Sequence, residues 1–145
     1  MALIETSITD APLDVSAAIT RCQADAAGAI AVFVGTVRID SAVGGNRERQ
    51  VQALEYEALA DLAQSRMEEI GDSLSRRFGL IAYVARHRTG LCPLGEPTVV
   101  VACAAPHRAE ALEACRAGID EIKASVPIWK KEIYSDGSSW VGAGG

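Results

Sequence analysis

Three lysines stand around one corner of this 145-residue sequence. The stretch Ile119 to Glu132, IDEIKASVPIWKKE, leaves an amphipathic helix, breaks at Pro127 and passes through Trp129 into Lys130 and Lys131, with Lys123 just before the break. A helix end and the start of a strand are rigid supports, so ammonium groups on them can be held at fixed spacing, which suits a pocket for an anionic substrate. A partly desolvated lysine beside other cations has its pKa lowered and becomes a usable general acid or base near neutrality. The alternative for Lys123 is a lysine snorkelling at a helix C-terminus, where the dipole favours a cation. Trp129 is either a lid over a flat ring or part of the core.

Of the 14 Lys and Arg residues, nine fall at expected element ends or loops: Arg38, Arg47, Arg49, Arg86, Arg88, Arg108, Lys123, Lys130 and Lys131. Two readings of that distribution stand. The cations gather into one local anion site, or strand exits are polar because they reach water. Pro106-His107-Arg108 adds to the first reading. Pro106 fits the first position of a helix, where its missing N–H costs nothing. The free N–H groups of that first turn, with His107 and Arg108 beside them, would cradle a phosphate or carboxylate. The alternative is a first turn whose basic side chains bend into solvent.

Composition sets the bounds. The chain is long enough for one ordinary domain with a real core, and 49% of it is hydrophobic. A net charge of −5 argues against a nucleic-acid footprint. No apolar run reaches the roughly 20 residues that span a bilayer. MALIETSITDAPLD lacks the basic start and apolar run of a signal peptide, so a cytoplasmic location is expected. Cys22, Cys92, Cys103 and Cys115 are too far apart for a CxxC motif and sit among apolar neighbours, as small buried hydrophobes do. With His87 and His107 as the chain's histidines, no metal site is expected.

The elements that must position these residues follow from periodicity. Residues 2–8 read as a first strand. A short helix opens at Pro12 and Asp14, and AIAVFVGTVR, 29–38, reads as a central strand. The segment 39–50, IDSAVGGNRERQ, is expected to be a mobile loop. VQALEYEA follows as a half-buried strand. Leu59, Leu62, Met67, Ile70, Leu74 and Phe78 mark the inner face of a long helix, with Gly79 closing it. LIAYVARHR and TVVVACAA are strands joined by a turn, TGLCPLGEP. The last helix is expected over 106–125 with a stripe of Leu112, Cys115, Ile119, Ile122 and Val126. IWKKEIY is a final strand, followed by a turn and a disordered end at 141–145. The order β-α-β-β-α-β-β-α-β gives one α+β domain over 1–145, a mostly antiparallel sheet with helices on one face, related to a ferredoxin-like plait.

Three blocks, FVGTVR (33–38), PHR (106–108) and KASVPIWKKE (123–132), occur in this order and at this spacing in one known family. The chain resembles the large, catalytic subunit of molybdopterin synthase over nearly its whole length. The PIWKKE block behind a helix lysine is the specific part; FxGxVR alone is weak.

That resemblance implies an α/β hammerhead fold, a homodimer within a heterotetramer, and a partner that is a small ubiquitin-like sulfur carrier. The carrier's C-terminal Gly-Gly tail, as a thiocarboxylate, would deliver two sulfurs to cyclic pyranopterin monophosphate, forming the molybdopterin dithiolene. By the same resemblance Lys123 and Lys130 are the active-site lysines. Arg38, His107 and Arg108 contact the substrate, with Thr36, Val37, Lys131 and Glu132 flanking them. Neither a metal nor a cofactor is implied, because the thiocarboxylate brings the sulfur. The longer charged tail that some relatives carry after Trp140 is absent, which puts any contact made by it in doubt. The competing reading is a non-catalytic module that holds a phosphorylated ligand on the same fold.

Overall fold

In the computed structural model of the chain, residues 1–39, 50–137 and 139–143 are described. Most of the loop expected at 39–50 and the last two glycines lie outside them. The elements in order are β1 (Leu3–Thr9), α1 (Val15–Cys22), β2 (Ala29–Thr36), β3 (Val51–Ala58), α2 (Ala60–Phe78), β4 (Ala82–Arg88), β5 (Gly90–Pro93), β6 (Pro97–Ala105), α3 (Arg108–Ser125), β7 (Ile128–Tyr134) and β8 (Ser139–Ala143).

The strands form two sheets of four, not the single sheet expected. The first has the order β1-β4-β6-β2 and the second β5-β3-β7-β8. β1 runs parallel to β4; the other pairings are antiparallel. The chain leaves the first sheet at Thr89 and Gly90, adds β5 to the second, and returns through Gly95. Both glycines have positive φ, +76° and +82°, which lets the backbone reverse within a few residues. A connection that read as a plain turn therefore holds a strand. At the other end, β8 pairs with β7 as far as Ala143 opposite Trp129.

The first sheet is buried on both faces, and its side chains divide by strand alternation. Tyr83, Ala85, Val99, Val101, Cys103 and Ala105 face α2 and α3. Ala82, Val84, Val100, Ala102 and Ala104 face α1, where Ala18 and Cys22 are fully buried. Helices thus cover both faces rather than one. The apolar run TVVVACAA announces this, because a strand covered on one face only would alternate.

Two helix ends have a clear local cause. Asp14 caps α1, accepting from the Ala17 N–H at 3.0 Å. Gly79 closes α2 in the left-handed conformation, φ 63° and ψ 42°. Met67, Ile70 and Leu74 of α2 are fully buried, while Leu59 and Leu62 are exposed; Ala63 takes the inner position in that first turn. Truncating Met67 to Ala costs about 2–5 kcal/mol by the usual worth of a buried large side chain. Along α3, Cys115, Ile119 and Ile122 are buried as expected and Leu112 is not, being 61% exposed. Ala111 and Ala114 fill its place against the sheet. All four cysteines are buried, and burial pushes the Cys22 thiol up to about 11.

Candidate functional site

The corner between α3 and β7 is where the candidate groups converge. Ser125 ends α3, the Val126 N–H bonds back to the Ile122 carbonyl at 3.1 Å, and Pro127 turns the chain into β7. Lys123 therefore sits in the last turn of α3, and Lys130 is the third residue of β7, opposite Tyr56 in the β3 register. Burial comes first among the causes that lower the Lys123 pKa, followed by the like charges of Lys130 and Arg38. The residue as a whole stays exposed, so the shift carries little stability and matters for proton transfer instead.

Arg38 reaches this corner from the end of β2. Val37 before it is 2% exposed, with both backbone groups engaged: its N–H donates to the Glu96 carbonyl at 3.2 Å, and its carbonyl accepts from the Gly95 N–H at 2.8 Å. The clamp fixes where Arg38 leaves the fold. It is held in turn by Arg88, 7% exposed, whose Nη1 donates to Glu96 Oε1 at 2.9 Å. Arg88 is thus a buried structural cation rather than part of a surface cluster. Arg86 lies on the α1 side of the sheet, where its charge acts on Glu5. Arg47 and Arg49 lie outside the described residues.

Strand alternation separates the basic pair of β7. Ile128, Lys130, Glu132 and Tyr134 share one face, and Trp129, Lys131 and Ile133 share the other. Glu132 is 3% exposed and accepts from the Tyr134 hydroxyl at 2.8 Å. Lys131 stands opposite Glu55 in the register, away from the face that carries Lys130. Thr36 is exposed at the end of β2. Trp129 is 40% exposed, so it belongs to the surface and not to the core.

His107 and Arg108 are placed elsewhere. The last helix starts at Arg108 rather than Pro106, and His107 is its N-cap with extended backbone (φ −131°, ψ 155°) and no side-chain capping bond. Glu110 occupies the first turn, so the turn holds the acidic residue its dipole favours. Arg108 and Lys123 are 15 positions apart on one helix, a rise of about 22 Å. Within one chain, His107 and Arg108 do not reach the lysine corner.

Two hollows meet at Lys123. An open groove of about 400 Å³ runs between β2 and α3, with Phe33, Leu112, Cys115 and Ile119 on its walls and Lys123 at its rim. A small cavity of about 20 Å³ lies on the other side, lined by Tyr56, His87, Thr98, Ile122, Lys123 and Ile128 among others. Apart from Lys123, the polar members of this second hollow, Tyr56, His87 and Thr98, were not read as site residues from the sequence. His87 sat in a strand that reads as apolar with a basic end, and only its position on a strand buried on both faces distinguishes it from a surface histidine. Among the described residues there is no cluster of three or more His, Cys, Asp or Glu able to hold a metal, and no helix is long and apolar enough to cross a membrane.

This architecture is shared with a solved molybdopterin synthase from Staphylococcus aureus, at a TM-score of 0.85 and 31% identity over 94% of this chain and 96% of that one. Among curated sequences, the chain is 47% identical over 128 residues to the molybdopterin synthase catalytic subunit of Oryza sativa subsp. indica, covering 88% of this chain. It spans 64% of the length of that rice protein. It is 39% identical over 135 residues to the molybdopterin synthase catalytic subunit of Bacillus subtilis (strain 168), covering 93% of this chain and 83% of that one. The family model described as MoaE protein matches residues 8–125. The chain belongs to the MoaE protein family.

Proposed function

We propose that this chain is the catalytic subunit of a molybdopterin synthase, moving sulfur from the C-terminal thiocarboxylate of a small ubiquitin-like carrier onto cyclic pyranopterin monophosphate. The observation that carries the reading is the placement of Lys123, held on a helix end beside Lys130 and Arg38 with its pKa lowered by burial and by those two charges. The relatives' name, catalytic subunit, fits a protein that works with a second subunit.

The chemistry suits the corner. Attack of the thiocarboxylate sulfur on a side-chain carbon of the pterin forms a carbon–sulfur bond as a carbon–oxygen bond at that carbon breaks, and the departing oxygen takes up a proton. Lys123 supplies it, and the lowering of its pKa by burial and by its neighbours' charges eases release of its proton. Water then attacks the acyl carbon, the acyl carbon–sulfur bond breaks, the carrier leaves as a carboxylate, and sulfur stays on the pterin. Lys130 stabilises negative charge on the acyl oxygen during that step. Arg38 holds the cyclic phosphate. Thr36 flanks it at the end of β2, Val37 contributes only by fixing Arg38, and Glu132 acts from beneath Lys130. Lys131 flanks the site from the opposite face of β7. A Gly-Gly tail is narrow enough to approach Lys123 along the groove beside α3.

His107 and Arg108 join this site only through a second copy of the chain, because about 22 Å of helix separates Arg108 from Lys123. A homodimer flanked by two carriers meets that requirement, with each pocket built from both chains. A reducing compartment such as the cytoplasm suits four buried unpaired thiols. The purified chain, mixed with thiocarboxylated carrier and the cyclic precursor, is expected to yield the dithiolene. Tight binding of the precursor without product would instead favour a module that only holds phosphorylated ligands.

A further inference from the structure

The small cavity behind Lys123 contains a group that the proposed chemistry leaves unused. His87, on β4, is 4% exposed and lies edge-on to Tyr56, ring centroids 4.9 Å apart and planes at 75°. Its Nδ1 is 2.8 Å from the backbone carbonyl oxygen of Arg88. A carbonyl can only accept, so Nδ1 carries the ring's hydrogen and Nε2 keeps a bare lone pair. Burial pulls the imidazole pKa down to about 4, against the pull of the Arg88 carbonyl and together with the charge on Lys123, so the ring is neutral at physiological pH.

The neighbouring hydroxyls have partners of their own. Thr98 Oγ1 donates to the Gly35 carbonyl at 3.3 Å, and the Tyr56 hydroxyl is paired with the Thr98 side chain. Among the described residues that line the cavity, Lys123 is the one that carries a charge, and the volume of about 20 Å³ admits about one water.

We propose that His87 is a positioning residue for Lys123: its Nε2 lone pair accepts a hydrogen from one water in the shared cavity, that water accepts in turn from the lysine ammonium, and the relay helps to fix where that nitrogen stands at the substrate's edge. The inference rests on the reading of Lys123 as the working lysine and adds the group that aims it. Around Lys123, Lys130 from β7 and Arg38 after β2 repel its charge. Tyr56 from β3 is neutral and paired with Thr98, and His87 from β4 adds a neutral acceptor on the cavity side of the lysine.

The test uses His87→Phe, which keeps an aromatic ring against Tyr56 and removes the acceptor, and His87→Gln, which restores an acceptor oxygen. In the assembled synthase, His87→Phe is expected to lower kcat about tenfold with KM for the carrier unchanged, the usual worth of one hydrogen bond to a charged group. NMR titration should show Lys123 losing its proton at lower pH than in the unmodified chain, and His87→Gln should recover both properties. An unchanged Lys123 titration in folded His87→Phe would overturn the proposal. A second readout needs no folded His87 variant. In the unmodified chain the His87 Nε2 resonance should shift as Lys123 titrates, and that step should vanish in Lys123→Ala; an Nε2 that ignores the lysine also overturns it. Both titrations are made without substrate, so they judge this inference even if the unmodified chain were to form no dithiolene.

Discussion

Lys123 and Lys130 lie on opposite sides of the α3–β7 corner, and the charge on Lys130 is one of the forces that keeps the Lys123 pKa below the ordinary lysine value. Replacing Lys130 with Met removes that repulsion while keeping much of the aliphatic stem. The Lys123 titration should then move to higher pH, since one cause of its lowering is gone. NMR titration of the lysine side chains, assigned with Lys123→Ala, measures this. A Lys123 titration unmoved by Lys130→Met would mean that the two ammonium groups do not share a site.

The separation of Arg108 from Lys123 along α3 makes a second expectation. Lys123→Ala and Arg108→Ala chains, each inactive alone, should recover activity when unfolded and refolded together. Half of the dimers would be mixed, with one of two sites intact in each, giving about a quarter of the activity of the unmodified protein. Arg76→Ala, which removes an equal charge from the exposed face of α2, should leave activity unchanged. If the mixed sample stays inactive, the pocket is not shared between chains in this way.

Stability should depend on pH through His87. The ring's pKa falls from 6.5 when unfolded to about 4 in the fold, because burial disfavours its charged form. Its contribution is therefore fully present above the unfolded value and is lost as pH falls towards the folded one. The difference amounts to about 3 kcal/mol. Denaturant unfolding between about pH 7 and pH 4 should show the unmodified chain losing more stability than His87→Phe, which lacks the titrating ring. Parallel losses in the two chains would place the acid sensitivity elsewhere.

Gly28 supports the start of α3 from across the fold. A Cβ there would collide with the backbone carbonyl oxygen of Pro106, the residue before the His107 cap. Gly28→Ala should cost about 1–3 kcal/mol of stability and also raise KM for the phosphorylated substrate, because the turn bearing His107 and Arg108 must shift. Met67→Ala, destabilising in the core of α2, should leave KM alone. Equal KM effects from the two variants would detach Gly28 from the binding surface.

The sequence carried the element order well, because helical and strand periodicities in this chain are long and bounded by Gly, Pro and Asp. Asp14 and Gly79 cap the helices they were expected to cap, and the strand read from TVVVACAA is buried throughout. What it did not carry was the third dimension of the corner. Two adjacent lysines look equivalent in a string of letters, yet the two-residue period of β7 turns Lys130 and Lys131 to opposite faces. PHR and the lysine block look like two walls of one pocket, yet the rise of α3 holds them apart. Arg88 read as one of the cations at strand exits, open to solvent or to an anion, because its partner, Glu96, arrives from the far side of a strand-bearing turn. Such pairings depend on tertiary placement, and periodicity does not report it.

The central claim is that Lys123 acts on the reacting atoms. The most direct measurement is single-turnover conversion of the cyclic precursor by the Lys123→Ala chain assembled with thiocarboxylated carrier, alongside carrier and precursor affinities for the same sample. The account predicts that both ligands still bind while dithiolene formation falls by a factor of about a hundred or more, the usual loss when a positioned acid–base group is removed. Dithiolene formed at the rate of the unmodified chain would contradict it.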